Sequence, residues 1–352
     1  MSPGTISTET AAYLRAQVPK VLPGRPVIGA ITPYTDEVWC IEAEDGRKVV
    51  AKQQLFGFLT RGKAYDLLSV ECEVLGLLHS AGCPVPRVLG VDEDQQCIFY
   101  SWLGDDTYDD SLQTGDTALI WPVIDGMCAI DRVCAQYRDR LAPRVVPSAG
   151  HDELAAGWGR AGEEAREGIR HLLRRIGRPS SAAEEMLTSM HTWLAGRPPA
   201  LGSTDYNARN IVVGSDGSTV RFIEFAKIGW DWTERRLVQY TTSMGSGRDD
   251  GRMRSVLREE VALYYAEISD RSDGARALDY HQIFFLLNGV AMLCSAFEGG
   301  PRAAALLARW REPMARLRQF ATMLGRALSG DPLAAEFRGE LHACLTPDGD
   351  RL

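Results

Sequence analysis

One stretch of the sequence, GSTDYNARNIVV at 202–213, places a carboxylate and an amide at a spacing that suits metal-assisted chemistry. Asp205 precedes Asn210 by five positions, a hairpin signal follows, and Glu224 comes fourteen positions after Asn210. Phosphoryl transfer needs a carboxylate that orients and deprotonates a hydroxyl, together with oxygen ligands for Mg²⁺. Asp205 is the candidate base, and Asn210 and Glu224 are candidate ligands because Mg²⁺ prefers oxygen. Asp and Asn are also common in turns, so the pattern alone fits a plain turn as well.

A second set of candidate residues lies in the first hundred residues. The run KVVAK at 48–52 predicts a strand that ends in Lys52, and a predicted helix with Glu71 and Glu73 follows. In kinases a strand lysine contacts the nucleotide phosphates and pairs with a helix glutamate. Glu71 and Glu73 must face different sides of the helix, so only one of them can reach Lys52. Lys52 could otherwise be a solvent-facing lysine of an edge strand.

The hydrophobic pattern predicts the elements that must position these residues. The first part reads β-β-β-α-β-β and is preceded by a helix at 9–21. Two strands around a turn are predicted within 27–41, and the others at 48–52, 88–91 and 97–102, with the helix at 65–81. Helical patterns dominate 118–195 and 253–328, and strands are expected at 211–213 and 219–225. This order excludes the alternating pattern of a Rossmann domain and indicates an α+β fold. We place the boundary between the sheet-rich and helical parts near Gly104.

Composition limits the classes of function. The chain has 352 residues and a net charge of −8, which suits two lobes and argues against nucleic acid as a partner. The N-terminus lacks a secretory pattern, and no apolar run reaches about 18 residues, so we expect a cytoplasmic protein without a membrane partner. The eight cysteines form no C-x-x-C pair and are expected to be buried thiols.

Taken together, several stretches resemble the aminoglycoside phosphotransferase and choline kinase-like family. They occur in the family's order over about residues 27 to 300. The matching stretches are TDEVWCI (35–41), VVAK (49–52), ECEVLGLL (71–78), CPVPRVLGVD (83–92), IFYSWLG (98–104), STDYNARN (203–210) and FIEF (222–225).

The resemblance implies a bilobal protein kinase-like fold, with a small antiparallel-sheet lobe at 1–104 that binds nucleotide and a mainly helical lobe at 105–352. It implies ATP and Mg²⁺ as cofactors and a hydroxyl as acceptor. Carried over by position, the cofactor-binding residues are Lys52, Glu71, Thr35, Asp36, Tyr100, Trp102 and Leu103, the catalytic base is Asp205, and the metal ligands are Asn210 and Glu224. Thr32 to Asp36 would cover the phosphates, and Tyr100 to Gly104 would be the hinge that faces adenine.

The sequence departs from the family pattern at several positions. Ser203-Thr204 replaces His-Gly before the catalytic aspartate, and Glu224 replaces an aspartate. Arg236 stands where the family has a bracing aspartate, so Asp231 or Glu234 could take over that role. The phosphate loop has no glycine between Ala30 and Asp45. Arg209 lies either near the acceptor or in an ion pair with a neighbouring acid.

Three functions therefore stay open. The first is phosphorylation of a small molecule, such as a natural product or antibiotic, by ATP or another nucleoside triphosphate. The second is phosphorylation of Ser or Thr in a precursor peptide, as in lanthipeptide-like or thioamide-peptide biosynthesis. The third is a catalytically weak pseudokinase that serves as a binding module.

The acceptor side of the site is less defined. The acidic run from Asp105 to Asp110 could attract a cationic acceptor or form a solvated loop. Trp230 and Trp232 could line an acceptor pocket or belong to the core. The apolar stretch from Tyr280 to Phe297 is expected to be a core helix of the C-terminal lobe.

Overall fold

The computed structural model describes residues 6–245, 252–300, 303–309 and 312–345. The strands are β1 (Ile28–Pro33), β2 (Val38–Ala43), β3 (Lys48–Gln53), β4 (Val88–Asp92), β5 (Cys97–Ser101), β6 (Ala200–Ser203), β7 (Ile211–Val213), β8 (Val220–Phe222), β9 (Ile228–Asp231), β10 (Thr242–Ser243) and β11 (Arg254–Ser255). The helices are α1 (Thr8–Val21), α2 (Gly57–Thr60), α3 (Leu67–Ser80), α4 (Tyr108–Thr114), α5 (Ile120–Gln136), α6 (Arg138–Leu141), α7 (His151–Arg175), α8 (Ser181–Ala195), α9 (Thr233–Tyr240), α10 (Glu259–Ile268), α11 (Gly274–Phe297), α12 (Ala303–Arg309), α13 (Pro313–Leu324) and α14 (Pro332–Leu345).

The N-terminal part is a five-stranded antiparallel sheet in the order β1-β2-β3-β5-β4. Side chains alternate between the two faces of a strand, and this alternation determines where Lys52 lies. Val49 and Ala51 of the central strand β3 are buried in the core under α1, whereas Val50 and Lys52 line a cleft on the opposite face. Lys52 pairs across the sheet with Val38 and with Ile98. It is therefore a central-strand lysine and not an edge residue.

Helix α3 presents Glu71 to the same face of the sheet. Asp66 caps the helix by accepting a hydrogen bond from Ser69 N at 3.0 Å, which satisfies one of the free amides of the first turn. Glu71 is 1% exposed and faces the cleft. Glu73 faces away and pairs with Arg140 at 2.6 Å and with Arg144 at 2.7 Å. The two glutamates thus separate as helical geometry requires.

The rest of the described chain is mainly helical, with three two-stranded ladders, β6–β9, β7–β8 and β10–β11. Helices α7 and α11 pack along each other and form the centre of a second core with α13. Gly104 passes so close to β7 that an added Cβ would lie 2.1 Å from the carbonyl oxygen of Val213, so a larger residue would not fit. The fold is thus the expected two-part α+β arrangement, while the boundary at Gly104 stays a prediction.

The acidic segment after Gly104 differs from the expected loop. Helix α4 begins at Tyr108, and Thr107 and Asp110 form a capping box in which Asp110 accepts from Thr107 N at 2.9 Å. Asp109 is buried and accepts from Arg209 Nε at 3.3 Å. The expectation of a solvated loop is therefore wrong for Asp109 and Asp110, because the Thr-x-x-Asp spacing starts a helix there. The same contact gives Arg209 the acidic neighbour that one of its two interpretations required.

Two more sequence expectations need correction. The strand expected at 219–225 ends at Phe222, so Glu224 lies in the loop after it and not in the hairpin strand. Strand β9 and the short helix α2 were not anticipated.

Helix α11 is long and apolar enough to span a membrane by length and composition, but 72% of its most apolar window is buried, as in a core helix.

Candidate active site

Lys52 lies at the inner end of the cleft between two carboxylates. Its Nζ is 3.2 Å from Glu71 Oε1 and 2.8 Å from Glu224 Oε2. Burial opposes the charged form of Lys52, but the attraction of Glu71 and then of Glu224 is stronger and raises the pKa of Lys52 above its usual value. Gln54 also donates to the Glu71 carboxylate, so this buried acid has two donors. The lysine is charged and fixed in position.

Glu224 reaches the lysine because of an unusual backbone conformation. Its φ angle is +68°, in the left-handed region that residues other than glycine rarely adopt. The preceding Ile223 N donates to Asn210 O at 2.9 Å, and the following Phe225 is buried in the core. These contacts on both sides hold the strained residue, with its carboxylate toward the cleft. Such strain is often found at functional sites.

Ser203 connects the loop of Asp205 to the segment of Glu224. Its hydroxyl donates to Glu224 O at 2.6 Å and accepts from Asp205 N at 3.1 Å. Asn210 Nδ2 donates to Asp205 O at 2.8 Å and closes the loop from its other end. Partial burial, and then the charge of Glu224, raise the pKa of Asp205. The serine in place of the family's histidine therefore holds the candidate base and the candidate metal ligand in one unit.

Arg236 braces the same unit from below. This residue is 2% exposed and lies in α9. Its guanidinium donates to the carbonyl oxygens of Ser203 at 3.2 Å, Ala200 at 3.0 Å and Gly229 at 2.9 Å. It thereby joins β6 and β9 immediately before the loop of Asp205. An arginine that bonds backbone carbonyls thus occupies the position where the resemblance implies an aspartate.

The two acids that could have replaced that aspartate have different neighbours. Asp231 accepts from the Tyr206 hydroxyl and from Arg235 Nη1 at 3.1 Å, so it braces the residue after Asp205. Glu234 is fully buried and pairs with Arg197 at 3.1 Å, away from the loop. Only Asp231 therefore contacts the candidate catalytic loop.

The cleft itself has apolar walls suited to a flat heterocycle. The lining side chains come from both parts of the chain: Val38, Val50, Leu75, Pro86, Tyr100, Leu103, Val212 and Ile223. Burial, and then the charge of Glu71, raise the pKa of Tyr100, so its hydroxyl keeps its proton. The cavity volume is about 110 Å³, smaller than the ~300 Å³ at which small-molecule sites begin. In this conformation the space between the two walls is therefore narrower than a typical small-molecule site.

The loop between β1 and β2 is linked to the segment after β5 by Tyr34, which is not among the predicted site residues. The Tyr34 hydroxyl donates to the Asp105 carboxylate, and Trp102 Nε1 lies 3.3 Å from each of these oxygens. Tyr34 lines the cleft, whereas Thr35 and Asp36 are exposed and do not. The structure thus brings five of the predicted site residues to one cavity: Lys52, Glu71, Tyr100, Leu103 and Glu224. The other five lie outside its lining: Thr35, Asp36, Trp102, Asp205 and Asn210.

Trp102, Trp230 and Trp232 have different surroundings. The Trp102 ring lies at the cleft mouth, with Lys48 Nζ 4.7 Å from its centroid. Trp230 stacks on His151, and Trp232 is 4% exposed in the second core. Trp232 is therefore a core residue in this fold.

The candidate metal ligands Asn210 and Glu224 offer two oxygen-bearing side chains. Within the described ranges, no group of three His, Cys, Asp or Glu side chains is arranged to hold a metal ion. Mg²⁺ in phosphoryl-transfer sites is commonly held by one or two protein groups, with phosphates and water as the other ligands. Asn210 and Glu224 fit that incomplete set, so they suit Mg²⁺ together with a nucleotide.

Comparison with solved structures identifies the fold. The chain matches the GDP complex of wild-type aminoglycoside 2'-phosphotransferase-IIIa with a TM-score of 0.54 and 11% identity, over 90% of this chain and 98% of that one. It matches the GDP complex of a mutant of that enzyme with a TM-score of 0.50 and 12% identity, over 95% and 97% of the two chains. A GDP and kanamycin complex of APH(2")-IIia matches with a TM-score of 0.50 and 11% identity, over 89% and 98%.

The chain has the aminoglycoside phosphotransferase fold. This confirms the family resemblance at the level of the fold, and it confirms the bilobal kinase-like α+β architecture. No protein-family model and no curated protein matches the sequence. At 11–12% identity the likeness establishes the phosphotransferase fold and leaves its chemistry to the residues of the site.

Proposed function

We propose that the protein transfers the γ-phosphoryl group of ATP to a hydroxyl of a small molecule, such as a natural product or an antibiotic. The observation that carries the proposal is that a charged buried lysine and a strained glutamate share one cleft, and that Ser203 ties the segment of this glutamate to the Asp205–Asn210 loop. The Ser203 bridge supports it, because a serine in place of the histidine that the resemblance implies still connects the two loops of the site. The fold of proteins solved with GDP and with kanamycin also supports it.

Each residue has one task in this proposal. Lys52 contacts the nucleotide phosphates, and Glu71 keeps its ammonium group charged and oriented. Asp205 accepts the proton of the acceptor hydroxyl while the oxygen of that hydroxyl forms a bond to the γ-phosphorus. The bond from that phosphorus to the bridging oxygen breaks, and ADP leaves with the electron pair. The apolar walls, with Tyr100, Trp102 and Leu103 at the hinge, hold the adenine; Thr35 and Asp36 lie on the loop above the phosphates.

Asn210 and Glu224 would hold Mg²⁺, which neutralises phosphate charge when it is bound. Glu224 is paired with Lys52 at 2.8 Å, so it must exchange this partner for the cation. The phosphates offer Lys52 a replacement for the lost carboxylate. We also propose that the enzyme is cytoplasmic, with 1–104 as its nucleotide lobe and 105–352 as its acceptor lobe. The exchange of partners at Glu224 would accompany the separation of these two lobes.

The test is acceptor-dependent ADP release with Mg²⁺ and ATP, with GTP in parallel, over a panel of hydroxyl-bearing small molecules and Ser/Thr peptides. We expect Asp205→Ala to lower turnover by about 10²- to 10⁴-fold, the usual contribution of a positioned base. Asp94→Ala removes an exposed carboxylate from the β4–β5 turn and serves as the matched control. Turnover on peptides alone would favour the precursor-peptide alternative. Binding of ATP without turnover on any acceptor would favour the binding module, and failure to bind ATP would contradict the assigned roles.

A further inference from the structure

A second and larger cavity lies between helices α7, α9, α11 and α13 of the helical part. Its volume is about 590 Å³, within the ~300–1,000 Å³ of sites that hold small molecules. Its apolar wall consists of large side chains, chiefly Trp158, Phe284, Phe285, Met292 and Phe320. The two acids in its lining, Glu164 and Glu167, are exposed. The cavity is thus aromatic, with its acidic side chains on the solvent side.

His281 is the unexplained residue of this cavity. It is 1% exposed, and within the described part of the chain neither ring nitrogen has a hydrogen-bond partner. Burial, and then the charges of Arg235 and Arg197, lower the pKa of His281 well below its usual value, so the ring is neutral. Asn288 also lines the cavity, and its side-chain oxygen is buried without a partner. Buried polar groups without a partner are few in native proteins, and a bound molecule that supplies the partner is one explanation of them.

The cavity is connected to the candidate catalytic loop through one chain of polar contacts. Tyr206 follows Asp205 and donates its hydroxyl to Asp231. Asp231 accepts from Arg235, whose guanidinium lines the cavity and lies 6.0 Å from the centre of the Trp158 ring. The wall of the cavity is therefore two contacts away from the residue next to the candidate base.

We propose that this cavity is the acceptor site and that it takes an uncharged, ring-bearing small molecule, with His281 and Asn288 as its hydrogen-bonding groups. The identification as acceptor site rests on the proposed phosphotransferase function. A neutral imidazole offers one donor and one acceptor, and the Asn288 oxygen offers a second acceptor. Aromatic walls favour flat or apolar rings. A polycation would meet the half-buried Arg235 guanidinium, and the two carboxylates of the lining lie only at its exposed side.

The probe for this chemistry is the neutral naphthalene dye 6-propionyl-2-(dimethylamino)naphthalene, whose emission shifts in apolar surroundings. Ala291 lines the cavity, so Ala291→Phe fills it, and Ala161→Phe fills it from α7. We expect each substitution to raise the dye Kd at least 10-fold, and His281→Ala to raise it several-fold. The segment from Leu55 to Leu59 exposes large apolar side chains and could bind dye by itself. Phe56→Ser/Phe58→Ser removes that surface and should leave the dye Kd within twofold.

ATP binding by calorimetry on the same variants separates the two proposals. The wild type could bind the dye, lose this binding in Ala291→Phe and yet fail to bind ATP. That result would support the proposed ligand class and contradict the phosphotransferase proposal. Equal dye affinity in the wild type and in both filled variants, with ATP binding retained as evidence of folding, would overturn the cavity assignment. Displacement of the dye by kanamycin at a lower concentration than by an uncharged aryl alcohol would overturn the ligand class. Ala161→Phe keeps the test decisive if Ala291→Phe alone fails to fold.

Discussion

The cleft and the helical cavity differ in whether their buried polar groups have hydrogen-bond or charge partners. In the cleft, Lys52 pairs with two carboxylates, and Ser203 links the loops on either side of it. In the cavity, within the described residues, both ring nitrogens of His281 and the side-chain oxygen of Asn288 are buried without hydrogen-bond partners. The polar groups of the cleft must therefore exchange their present partners for a ligand, whereas those of the cavity would gain partners without losing any. Substitution of these polar groups should therefore lower the free energy of unfolding in the cleft and raise it in the cavity.

The largest effect is expected for Lys52→Met. Loss of the cation would remove the phosphate contact that we propose for Lys52, and we expect turnover to fall by about 10³-fold, as for other lost electrostatic donors. It also leaves Glu71 buried without its charge partner, which costs about 3–5 kcal/mol of unfolding free energy. Turnover assays and urea unfolding measure the two effects.

The double variant Lys52→Met/Glu71→Leu separates stability from function. It removes both charges, so the free energy of unfolding should return toward the wild-type value while turnover stays lost. A double variant as unstable as the single one would show that the pair is not the source of the instability.

A smaller loss, about 3 kcal/mol of unfolding free energy, is expected for Arg236→Met. The change removes the donor of three backbone carbonyls, those of Ala200 and Ser203 in β6 and of Gly229 in β9. Each unsatisfied buried group costs about 1–3 kcal/mol before relaxation. Urea unfolding measures the loss. Arg236→Lys, which keeps the charge but not the forked geometry, should recover only part of it. Wild-type stability of Arg236→Met would show that other contacts hold these strands together.

Ser203→Ala tests the link between the base and the candidate metal ligand. We expect kcat to fall by about 10-fold while the KM for ATP changes little, because two hydrogen bonds that position the loops disappear. Thr204→Val removes the neighbouring hydroxyl, whose 3.3 Å bond to Lys227 O lies outside this link, and is the control. Equal losses for the two variants would contradict a special role for Ser203.

Much of the cleft could be predicted from the sequence because its determinants are local. The period of two along KVVAK puts Lys52 opposite the face that α1 covers, and helical spacing separates Glu71 from Glu73. The Asp205–Asn210 spacing describes one tight loop. The left-handed Glu224 could not be predicted, because contacts on both sides of the residue impose it.

The rest depends on residues that are distant in the chain. Arg236 acts through carbonyl groups, which leave no trace in side-chain patterns. The cavity needs α7, α11 and α13 to pack together, and its lining runs from residue 158 to residue 320. By contrast, the capping box of Thr107 and Asp110 was visible in the sequence as a Thr-x-x-Asp spacing.

The opposite direction of effect is expected for His281→Phe, which should stabilise the ligand-free protein by about 1 kcal/mol by removing unpartnered polar atoms. The folded state keeps His281 neutral while the unfolded state takes up a proton below about pH 6.5. Wild-type stability is therefore lost as the pH falls below that value, and the gain from the substitution should be larger by about 1 kcal/mol at pH 5.5 than at pH 8. Urea unfolding at both pH values measures this.

His191→Phe is the matched comparison for that result. His191 stacks on the same Trp158, but its Nε2 lies 3.0 Å from Trp158 O, so this ring already has a partner. Its replacement should lower stability where that of His281 raises it. A loss at both positions would mean that His281 is satisfied in solution, and the contrast between cleft and cavity would not hold.

The smallest effect is expected for Tyr34→Phe. The lost hydroxyl bridges the β1–β2 loop to Asp105 and Trp102 across the mouth of the cleft, and an exposed hydrogen bond of this kind contributes about 1 kcal/mol or less. Stability should hardly change, while association of a fluorescent ATP analogue in stopped-flow measurements should become several-fold faster, because the walls separate more easily. Tyr13→Phe removes a hydroxyl bonded to Asp92 on the far side of the sheet and should leave that rate unchanged. Identical rates in wild type and Tyr34→Phe would show that opening is limited elsewhere, with the exchange between Lys52 and Glu224 as the remaining barrier within the cleft.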